Sequence, residues 1–245
     1  MADAPLVELR QYTLRPRTRT VLLDVFERHL IESQEAVGMR VGGVFEDLDR
    51  SDRFVWMRAF ASMAARNHAL TEFYSGDVWR EHGPAANATM IDSDDVLLLR
   101  PTQQPHPPLP PRHRPPVSRP HPVRSGTDHV VMQVWGHEAG HGTCDWLSSD
   151  VHPVLEEAFG TAVATWCTEP AENDFPGLPV RNEHVFVWTA TFPDEASSVA
   201  AQGRLRDLSV WSALGAEIDR RLTRAQHLRL RPSKRSAHPA HGRRR

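Results

Sequence analysis

The sequence predicts an α+β fold in which two similar units follow one another along the chain. Three observations support this fold: short motifs recur about 131 residues apart, both halves show the same order of strand and helix patterns, and a proline-rich segment separates them. The recurring motifs are Phe54-Val55-Trp56 with Phe186-Val187-Trp188, Val78-Trp79 with Val210-Trp211, and Leu99-Arg100-Pro101 with Leu230-Arg231-Pro232. We therefore expect a first unit at 1–101, a linker at 102–125, a diverged second unit at 126–232 and a disordered basic tail at 233–245.

The first unit is predicted to follow the order strand, helix, strand, strand, helix, strand. Residues 6–12 alternate between two sets of side chains, as a strand requires. Apolar residues then recur at helical spacing from Val21 to Ile31, and Gly38 ends that helix. Further strands are expected at 39–45, 53–60 and 96–99, with a second helix that begins near Ser62. This βαββαβ order is that of a ferredoxin-like unit.

The second unit repeats this order. Its strands are expected at 130–135, 162–167, 183–190 and 227–230, and its helices at 146–159 and 194–222. The loop at 168–182 between its second and third strands contains three prolines and is much longer than the corresponding turn at 46–52. This difference predicts that the second unit supplies a cover over a cavity.

Ten of the twenty prolines lie between Pro101 and Ser125, and nine of them are in the linker. Proline fixes φ and lacks an amide donor, so this segment is not expected to join a sheet or a helix. We interpret it as an extended spacer between the units. The alternative is a proline-rich ligand for a partner domain.

Composition excludes several classes of function. A net charge of −2 gives no concentrated basic surface for nucleic acid, and no apolar run approaches the ~20 residues that span a bilayer. Two cysteines, Cys144 and Cys167, are not expected to form a disulfide framework, and no secretory signal is visible at the N-terminus, so we expect a cytoplasmic protein. The sequence also lacks a glycine-rich phosphate loop, a CxxC pair and a nucleophile elbow, and no cofactor is predicted.

Several motifs of the first unit carry a family resemblance. They are Val7-Glu8-Leu9-Arg10-Gln11-Tyr12-Thr13-Leu14 followed by Arg15-Pro16, then Phe26, Gln34-Glu35, Gly38, Phe54-Val55-Trp56 and Leu97-Leu98-Leu99-Arg100-Pro101. On these motifs residues 6–101 resemble a NIPSNAP domain, and residues 128–232 resemble it more weakly. The resemblance implies a dimeric α/β-barrel, formed here within one chain by two facing sheets. Relatives in that superfamily include cofactor-independent monooxygenases, haem-degrading oxygenases, cyclases and isomerases, so the fold does not identify a reaction.

The alternation of side chains in the first strand predicts a candidate site. Val7, Leu9 and Gln11 are expected to face the helices, which places Glu8, Arg10 and Tyr12 on the barrel side. The residues expected beside them from the third strand are Phe54, Trp56 and Arg58. Arginine suits a carboxylate or an enolate, tryptophan stacks on a ring, and Glu8 or Tyr12 could transfer a proton. The alternative is a buried ion pair between Glu8 and Arg10 that only fixes the sheet.

The second unit has lost these charges. The positions that match Glu8, Arg10 and Tyr12 are Val131, Gln133 and Trp135, and the position that matches Arg58 is Ala190. If there is a reactive centre, it is therefore expected in the first unit. Degeneration of a duplicated half into scaffold explains the pattern equally well. Gln133 and Trp135 would add substrate contacts and an apolar wall.

Two histidine motifs are ambiguous. His137-Glu138-Ala139-Gly140-His141 spells HExxH, but it follows a strand directly and is rich in glycine, which disfavours the helix that a zinc site needs. We therefore predict a polar loop and no metal. His82 either belongs to a polar capping cluster or lies at the mouth of the cavity as an acid, a base or a haem ligand.

Together these features predict a NIPSNAP-like protein that binds a small aromatic or acidic metabolite in the barrel cavity, as an intrachain pseudo-dimer with the option of further homo-oligomers. No nucleic-acid or membrane partner is expected. The first alternative is a cofactor-independent monooxygenase, cyclase or isomerase, in which Glu8, Arg10, Tyr12 and His82 are catalytic. The second is a non-catalytic interaction module that uses the linker or the tail.

Overall fold

The computed structural model describes residues 5–103, 128–140 and 142–237. Both halves follow the predicted order of strands and helices. The strands are β1 (Leu6–Leu14), β2 (Arg40–Asp47), β3 (Arg53–Phe60), β4 (Met90–Pro101), β5 (His129–His137), β6 (Val163–Thr168), β7 (Val185–Phe192) and β8 (Leu222–Pro232). The helices are α1 (Arg19–Val25), α2 (Ile31–Ala36), α3 (Met63–Ser75), α4 (Asp77–Asn87), α5 (Thr143–Trp146), α6 (His152–Phe159), α7 (Glu195–Asp207) and α8 (Ser209–Arg221).

The eight strands close into one antiparallel barrel in the order β1-β3-β2-β8-β5-β7-β6-β4. Each half supplies four neighbouring strands, so the halves meet at two seams. At one seam β2 pairs with β8, where Phe45 lies opposite Pro232. At the other seam β4 pairs with β6, where Leu99 lies opposite Thr168. Closure leaves no free strand edge in the sheet.

The barrel interior is filled by apolar side chains from both halves. Leu9 of β1, Met132 of β5 and Val187 of β7 belong to one buried cluster that spans the barrel. An eight-stranded barrel is narrow enough for side chains to fill its interior. The sequence does not show whether the barrel interior is open, and in the structure this cluster packs it.

The two faces of β1 are also reversed relative to our expectation. Leu9 faces the barrel interior, whereas Tyr12 packs in the cluster between the first sheet and its helices, together with Leu22 of α1. Glu8 bonds Arg66 of α3, which places its carboxylate on the helix side as well. The physical reason is that the filled interior offers these charged groups no partners, and an unpaired buried charge is costly.

Two further parts of the chain lie outside the barrel strands. The linker at 102–125 falls almost entirely outside the described residues. The tail is not disordered at its start, because Ser233 N donates to Val44 O at 2.8 Å and Ala237 N donates to Gly42 O at 2.9 Å. Arg235 is buried and its backbone N–H donates to the Glu27 carboxylate at 3.1 Å. Residues 233–237 thus fasten the end of β8 to the first half.

The two cysteines, expected to stay apart, are joined as a disulfide between α5 and β6. The Cα atoms of Cys144 and Cys167 lie 6.3 Å apart, within the range that a disulfide spans. Both residues pack against the apolar cluster of the second half. Within the described ranges, no helix is both long enough and apolar enough to cross a membrane.

The packed interior gives a test of the barrel. Replacing Leu9, which is fully buried, with alanine is expected to lower the free energy of unfolding by about 2–5 kcal/mol, because it leaves a cavity among side chains of both halves. Urea unfolding measures the loss. Val199→Ala is the control, since Val199 is 57 % exposed and its truncation should cost little. A loss below about 1 kcal/mol for Leu9→Ala would contradict a filled barrel.

Candidate functional site

Six of the predicted site residues meet on the helix-facing side of β1 and β3. The antiparallel register places Glu8 opposite Arg58, Arg10 opposite Trp56, and Tyr12 opposite Phe54. Residues directly opposite on one face of a sheet are close enough to interact. The strand alternation and the register together explain why these side chains converge, although they do so against the helices.

Glu8 lies at the centre of this group and binds three guanidinium groups. Its Oε2 accepts from Arg10 Nη1 at 2.9 Å and from Arg58 Nε at 2.6 Å. Its Oε1 accepts from Arg66 Nε at 2.7 Å. All four side chains are almost fully buried, so we call this set the arginine cluster: Glu8, Arg10, Arg58 and Arg66. Ion pairs in such surroundings depend on every partner being present.

The arginine cluster determines the ionisation of Glu8. Burial alone would raise the pKa of this carboxyl group, but the nearby charges of Arg58, Arg10 and Arg66 outweigh burial and hold the pKa well below its ordinary range. A carboxylate with such a low pKa, and with both oxygens engaged, is a poor proton acceptor near neutral pH. The geometry therefore makes Glu8 a counterion for the arginines.

Tyr12 joins the arginine cluster to the aromatic residues. Its hydroxyl oxygen accepts from Arg10 Nε at 2.9 Å. Burial raises the pKa of Tyr12, although the Arg10 charge lowers it in part, so the phenol keeps its proton. Among the described residues that proton has no acceptor. The Tyr12 ring also meets the Trp56 ring edge-on, with centroids 6.1 Å apart. Tyr12 can thus donate a hydrogen bond to a molecule beside it.

Three buried donors of the site lack a partner within the described part of the chain: Trp56 Nε1, Arg58 Nη2 and Arg66 Nη2. Each unsatisfied buried donor costs about 1–3 kcal/mol, so such groups call for an explanation. Trp56 also lies near two guanidinium groups, with Arg58 Cζ 5.2 Å and Arg10 Cζ 5.7 Å from its ring. Of the three residues, Trp56 also lines the small cavity described next.

A small cavity adjoins these residues between the sheet and the helices. It measures about 30 Å³, which suffices for roughly two water molecules. Its walls are mostly aromatic and apolar, and they include Tyr12, Leu22, Phe26, Trp56, Tyr74 and Trp79. Gln34, whose Oε1 accepts from Arg58 Nη1 at 3.0 Å, connects the cavity wall to the arginine cluster. The inner wall is fully buried, whereas Tyr74 and Trp79 at the rim are only partly buried.

A π-helical turn shapes one wall of the cavity. Residues Phe26–Leu30 interrupt the helix between α1 and α2, and Leu147–Val151 do the same between α5 and α6. Phe26 and Leu30 line the cavity. Such turns occur frequently at functional sites.

A wider, polar pocket lies at the end of β1. It measures about 360 Å³ and is lined by charged residues that include Arg53, Asp92 and Arg181. The charges are partly paired with one another: Arg181 bonds Asp95 at 3.3 Å. Tyr12 borders this pocket as well as the aromatic cavity, so the pocket forms a polar approach to the same tyrosine.

Arg66 is the member of the arginine cluster that sequence reasoning missed. It lies on α3 at helical spacing from Ala69, Leu70 and Phe73, all of which are buried. An arginine in the apolar stripe of a helix was the available signal, since such a charge needs a buried partner.

A loop of the second half covers the site, as the length of the segment predicted. We call residues 169–184 the cover loop. Arg66 Nη1 donates to Asp174 Oδ1 at 2.6 Å and to Asn173 Oδ1 at 3.0 Å. Phe175 stacks on Tyr74 at 6.1 Å, and Leu178 packs against the first half's cluster. The site is therefore built from both halves of the chain.

Three predicted residues lie elsewhere. His82 of α4 stacks on His29 with centroids 3.7 Å apart and is not among the residues that line the cavity. Gln133 bonds His227 at 2.7 Å, and Trp135 packs in the second half's helix-facing cluster. They occupy the positions equivalent to Arg10 and Tyr12, but on the other sheet, so they cannot touch a ligand beside Glu8.

The described residues of the HExxH motif do not form the helix that a zinc site needs. His137 ends β5, and Glu138–Gly140 follow as an exposed loop, while His141 lies outside the described residues. In the described ranges no group of three histidine, cysteine or acidic side chains is arranged to hold a metal ion.

Comparison with known proteins supports the family and the fold. Residues 7–105 match the NIPSNAP family model, which confirms the predicted domain. No curated protein matches the chain significantly. An anthrone oxidase-like protein of known structure is 12% identical, with a TM-score of 0.61 over 94% of this chain and 92% of that chain. A candidate monooxygenase from Fusobacterium nucleatum is 8% identical, with a TM-score of 0.59 over 95% of this chain and 94% of that chain.

A second candidate monooxygenase, from Lactobacillus acidophilus, is 12% identical, with a TM-score of 0.56 over 94% of both chains. At these identities the likeness concerns the fold alone. The whole chain thus has the fold of monooxygenase-like α/β-barrels.

The arginine cluster predicts a large effect of Glu8→Gln. Removing the carboxylate leaves three buried guanidinium groups without their counterion, so we expect the free energy of unfolding at pH 7 to fall by about 3–5 kcal/mol in urea. Glu172→Gln is the control, because Glu172 is exposed on the cover loop. A Glu8→Gln loss no larger than that of the control would contradict the counterion role.

The same cluster predicts a pH dependence. The pKa of Glu8 is lower in the folded protein than its ordinary value of 4.5. The stabilisation that ionised Glu8 contributes is therefore complete above pH 4.5, and it is lost as the pH falls toward the pKa of Glu8 in the folded protein. Below about pH 4, wild type should lose up to about 1.4 kcal/mol per pH unit more than Glu8→Gln. Parallel stability curves of the two proteins would refute the lowered pKa.

Proposed function

We propose that this chain, whose residues 7–105 form a NIPSNAP domain, binds a small aromatic or acidic molecule between its first sheet and the helices that cover it. The observation that carries the proposal is a set of buried donors without partners in the described structure, Trp56 Nε1, Arg58 Nη2 and Arg66 Nη2. Trp56 lines a cavity with aromatic walls, and Gln34 of the same cavity bonds Arg58. Ligand sites combine such apolar walls with a few convergent polar groups.

The ligand enters by displacing the rim of the cavity. Sites for small molecules are usually about 300–1,000 Å³, far more than the 30 Å³ present here. Tyr74 and Trp79 are the partly buried members of the wall, and Phe175 of the cover loop stacks on Tyr74. Outward rotation of these rings enlarges the space while Trp56 and the arginine cluster stay in place.

The two halves then have different roles. We interpret the chain as a tandem pair of ferredoxin-like units, 1–101 and 126–232, that forms a pseudo-dimeric barrel. The repeated element order and the paired π-helical turns support this interpretation. The second unit keeps the aromatic Trp135 and Trp188 but carries Val131 and Ala190 where the first has Glu8 and Arg58, so it serves as scaffold and as the source of the cover loop.

Each first-unit residue has a specific task in this proposal. Trp56 and Tyr12 contact the ring of the ligand, and the Tyr12 hydroxyl donates to a ligand oxygen. Arg58 and Arg66 supply positive potential, and Glu8 holds their guanidinium groups in position. His82 has no role, because it stacks on His29.

Oxygenation of the bound molecule is the second candidate function. The whole-chain fold likeness to monooxygenase-like barrels favours it over other reactions. A positive site stabilises the enolate form of a phenol-like substrate, which is the form that reacts with O₂. The residues that would act are Tyr12 and Trp56 as donors to the enolate oxygen and the arginine cluster as the source of the field.

Binding is tested with 2-naphthoate, an aromatic carboxylate, by quenching of tryptophan fluorescence. Tyr12→Phe is expected to weaken binding about fivefold, because one hydrogen bond to the ligand is lost. Trp135→Phe, at the equivalent position of the second unit, is expected to bind as wild type does. Equal weakening in both variants would contradict a site in the first unit, and absence of binding to wild type would contradict the proposal.

Oxygenation is tested with anthrone and O₂, which would yield anthraquinone and water. Wild type is expected to form anthraquinone faster than the buffer does, and Tyr12→Phe to lower that rate about tenfold, since it removes a donor to the enolate oxygen. Absorbance of anthraquinone measures both rates. A rate equal to that of buffer alone would discard anthrone oxidation and leave binding as the function.

A further inference from the structure

The cover loop is fastened at its ends and bonded to the arginine cluster at its tip. Near its ends, Glu169 N donates to Leu98 O at 2.9 Å and Arg181 N donates to Val96 O at 2.8 Å, which ties both ends to β4. Its tip reaches α3, where Asp174 bonds Arg66. Opening of the tip therefore does not require the ends to leave the sheet.

The tip holds its own shape. Asn173 Oδ1 accepts from Phe175 N at 3.2 Å, and Asn173 Nδ2 donates to Leu178 O at 2.9 Å. These bonds lie within the loop and survive its displacement. Displacement breaks the contacts of the tip to α3 and to Tyr74 and the packing of Leu178 against the first half, while the bonds inside the tip let it move as a unit.

The charges of the site are not balanced without the tip. Three guanidinium groups face the single carboxylate of Glu8 inside the protein, an excess of two positive charges. Asp174 reduces that excess by one through its bond to Arg66. Arg58 Nη2 and Arg66 Nη2 still have no partner in the described structure. The site is therefore complementary to an anion.

Asp174 is the more easily displaced of the two carboxylates. Glu8 is fully buried and both of its oxygens are bonded to arginines, whereas the Asp174 side chain is 29% exposed and lies on a loop. When Asp174 separates from Arg66, its carboxylate returns to water at little cost in free energy. The Arg66 side chain stays fully buried and needs a new anionic partner.

We propose that Asp174 occupies the place of the ligand's own anionic group: a small aromatic carboxylate or phenolate pairs with Arg66 in its stead and releases the tip of the cover loop. This inference rests on the proposed ligand site and adds the class of ligand and the residue that competes with it. A neutral molecule of the same shape does not displace Asp174, because it offers Arg66 no charge.

The test compares wild type, Asp174→Asn and Glu172→Gln with two probes of similar shape, 2-naphthoate and the neutral 2-naphthamide. Glu172 is the matched control, because it is exposed, lies two residues away on the same loop and carries the same charge. Asp174→Asn is expected to bind 2-naphthoate about tenfold more tightly than wild type, since a charge-assisted competitor is gone, and to bind 2-naphthamide unchanged. Glu172→Gln is expected to match wild type with both probes.

Hydrogen exchange of peptides from the cover loop reports its release. Without probe, exchange at the tip is expected to be about tenfold faster in Asp174→Asn than in Glu172→Gln. In wild type, 2-naphthoate should accelerate this exchange and 2-naphthamide should not.

The outcomes separate this inference from the proposed function. If neither probe binds, both are overturned. If both probes bind all three proteins with unchanged affinities, the ligand site stands and the role of Asp174 is overturned. If 2-naphthoate binds both variants equally more tightly than wild type, the role of Asp174 is overturned too, because the loss of any negative charge would then explain the effect. The role of Asp174 is also overturned if hydrogen exchange at the tip is equally fast in Asp174→Asn and in Glu172→Gln.

Discussion

The carboxylate of Glu8 is the constraint on which the first half depends. Its two oxygens bind guanidinium groups from β1, β3 and α3, so one buried charge connects the sheet to its helices. Through Arg66 the same connection reaches Asp174 of the second half. Three buried arginines could not be held in the folded protein without it. The potential that makes the site suited to an anion and the stability of the first half therefore come from the same atoms.

The contrast between the halves supports the proposed site in the first half. The second half builds an equivalent space between sheet and helices but fills it with Val131, Trp135 and Ala190, and it needs no arginine there. An apolar filling is thus sufficient for this architecture. The first half keeps a buried charged cluster, which costs free energy of desolvation, where an apolar filling would be sufficient. Such an arrangement is expected of a functional site rather than of a structural one.

Much of the fold could be predicted from the sequence because its signals are local. Strand alternation gave the convergence of Glu8, Arg10 and Tyr12, and the length of the cover loop indicated a covering role. Alternation is symmetric, however, and cannot tell which face of a closed sheet is turned inward. That choice depends on the filled interior, to which Met132 and Val187 of the distant half contribute. The Cys144–Cys167 pair is likewise set by long-range packing that has no sequence period.

The account depends most directly on Glu8 being an ionised counterion. Carbon-13 NMR of the Glu8 side-chain carboxyl, assigned by comparison with Glu8→Gln, measures its protonation as the pH is lowered from 7. The carboxyl signal is expected to stay at its ionised position through the ordinary glutamate value of 4.5 until the protein unfolds, because three guanidinium groups hold its pKa down. A midpoint at or above 4.5 in the folded protein would mean that the cluster does not form as described, and the site built upon it would fall with it.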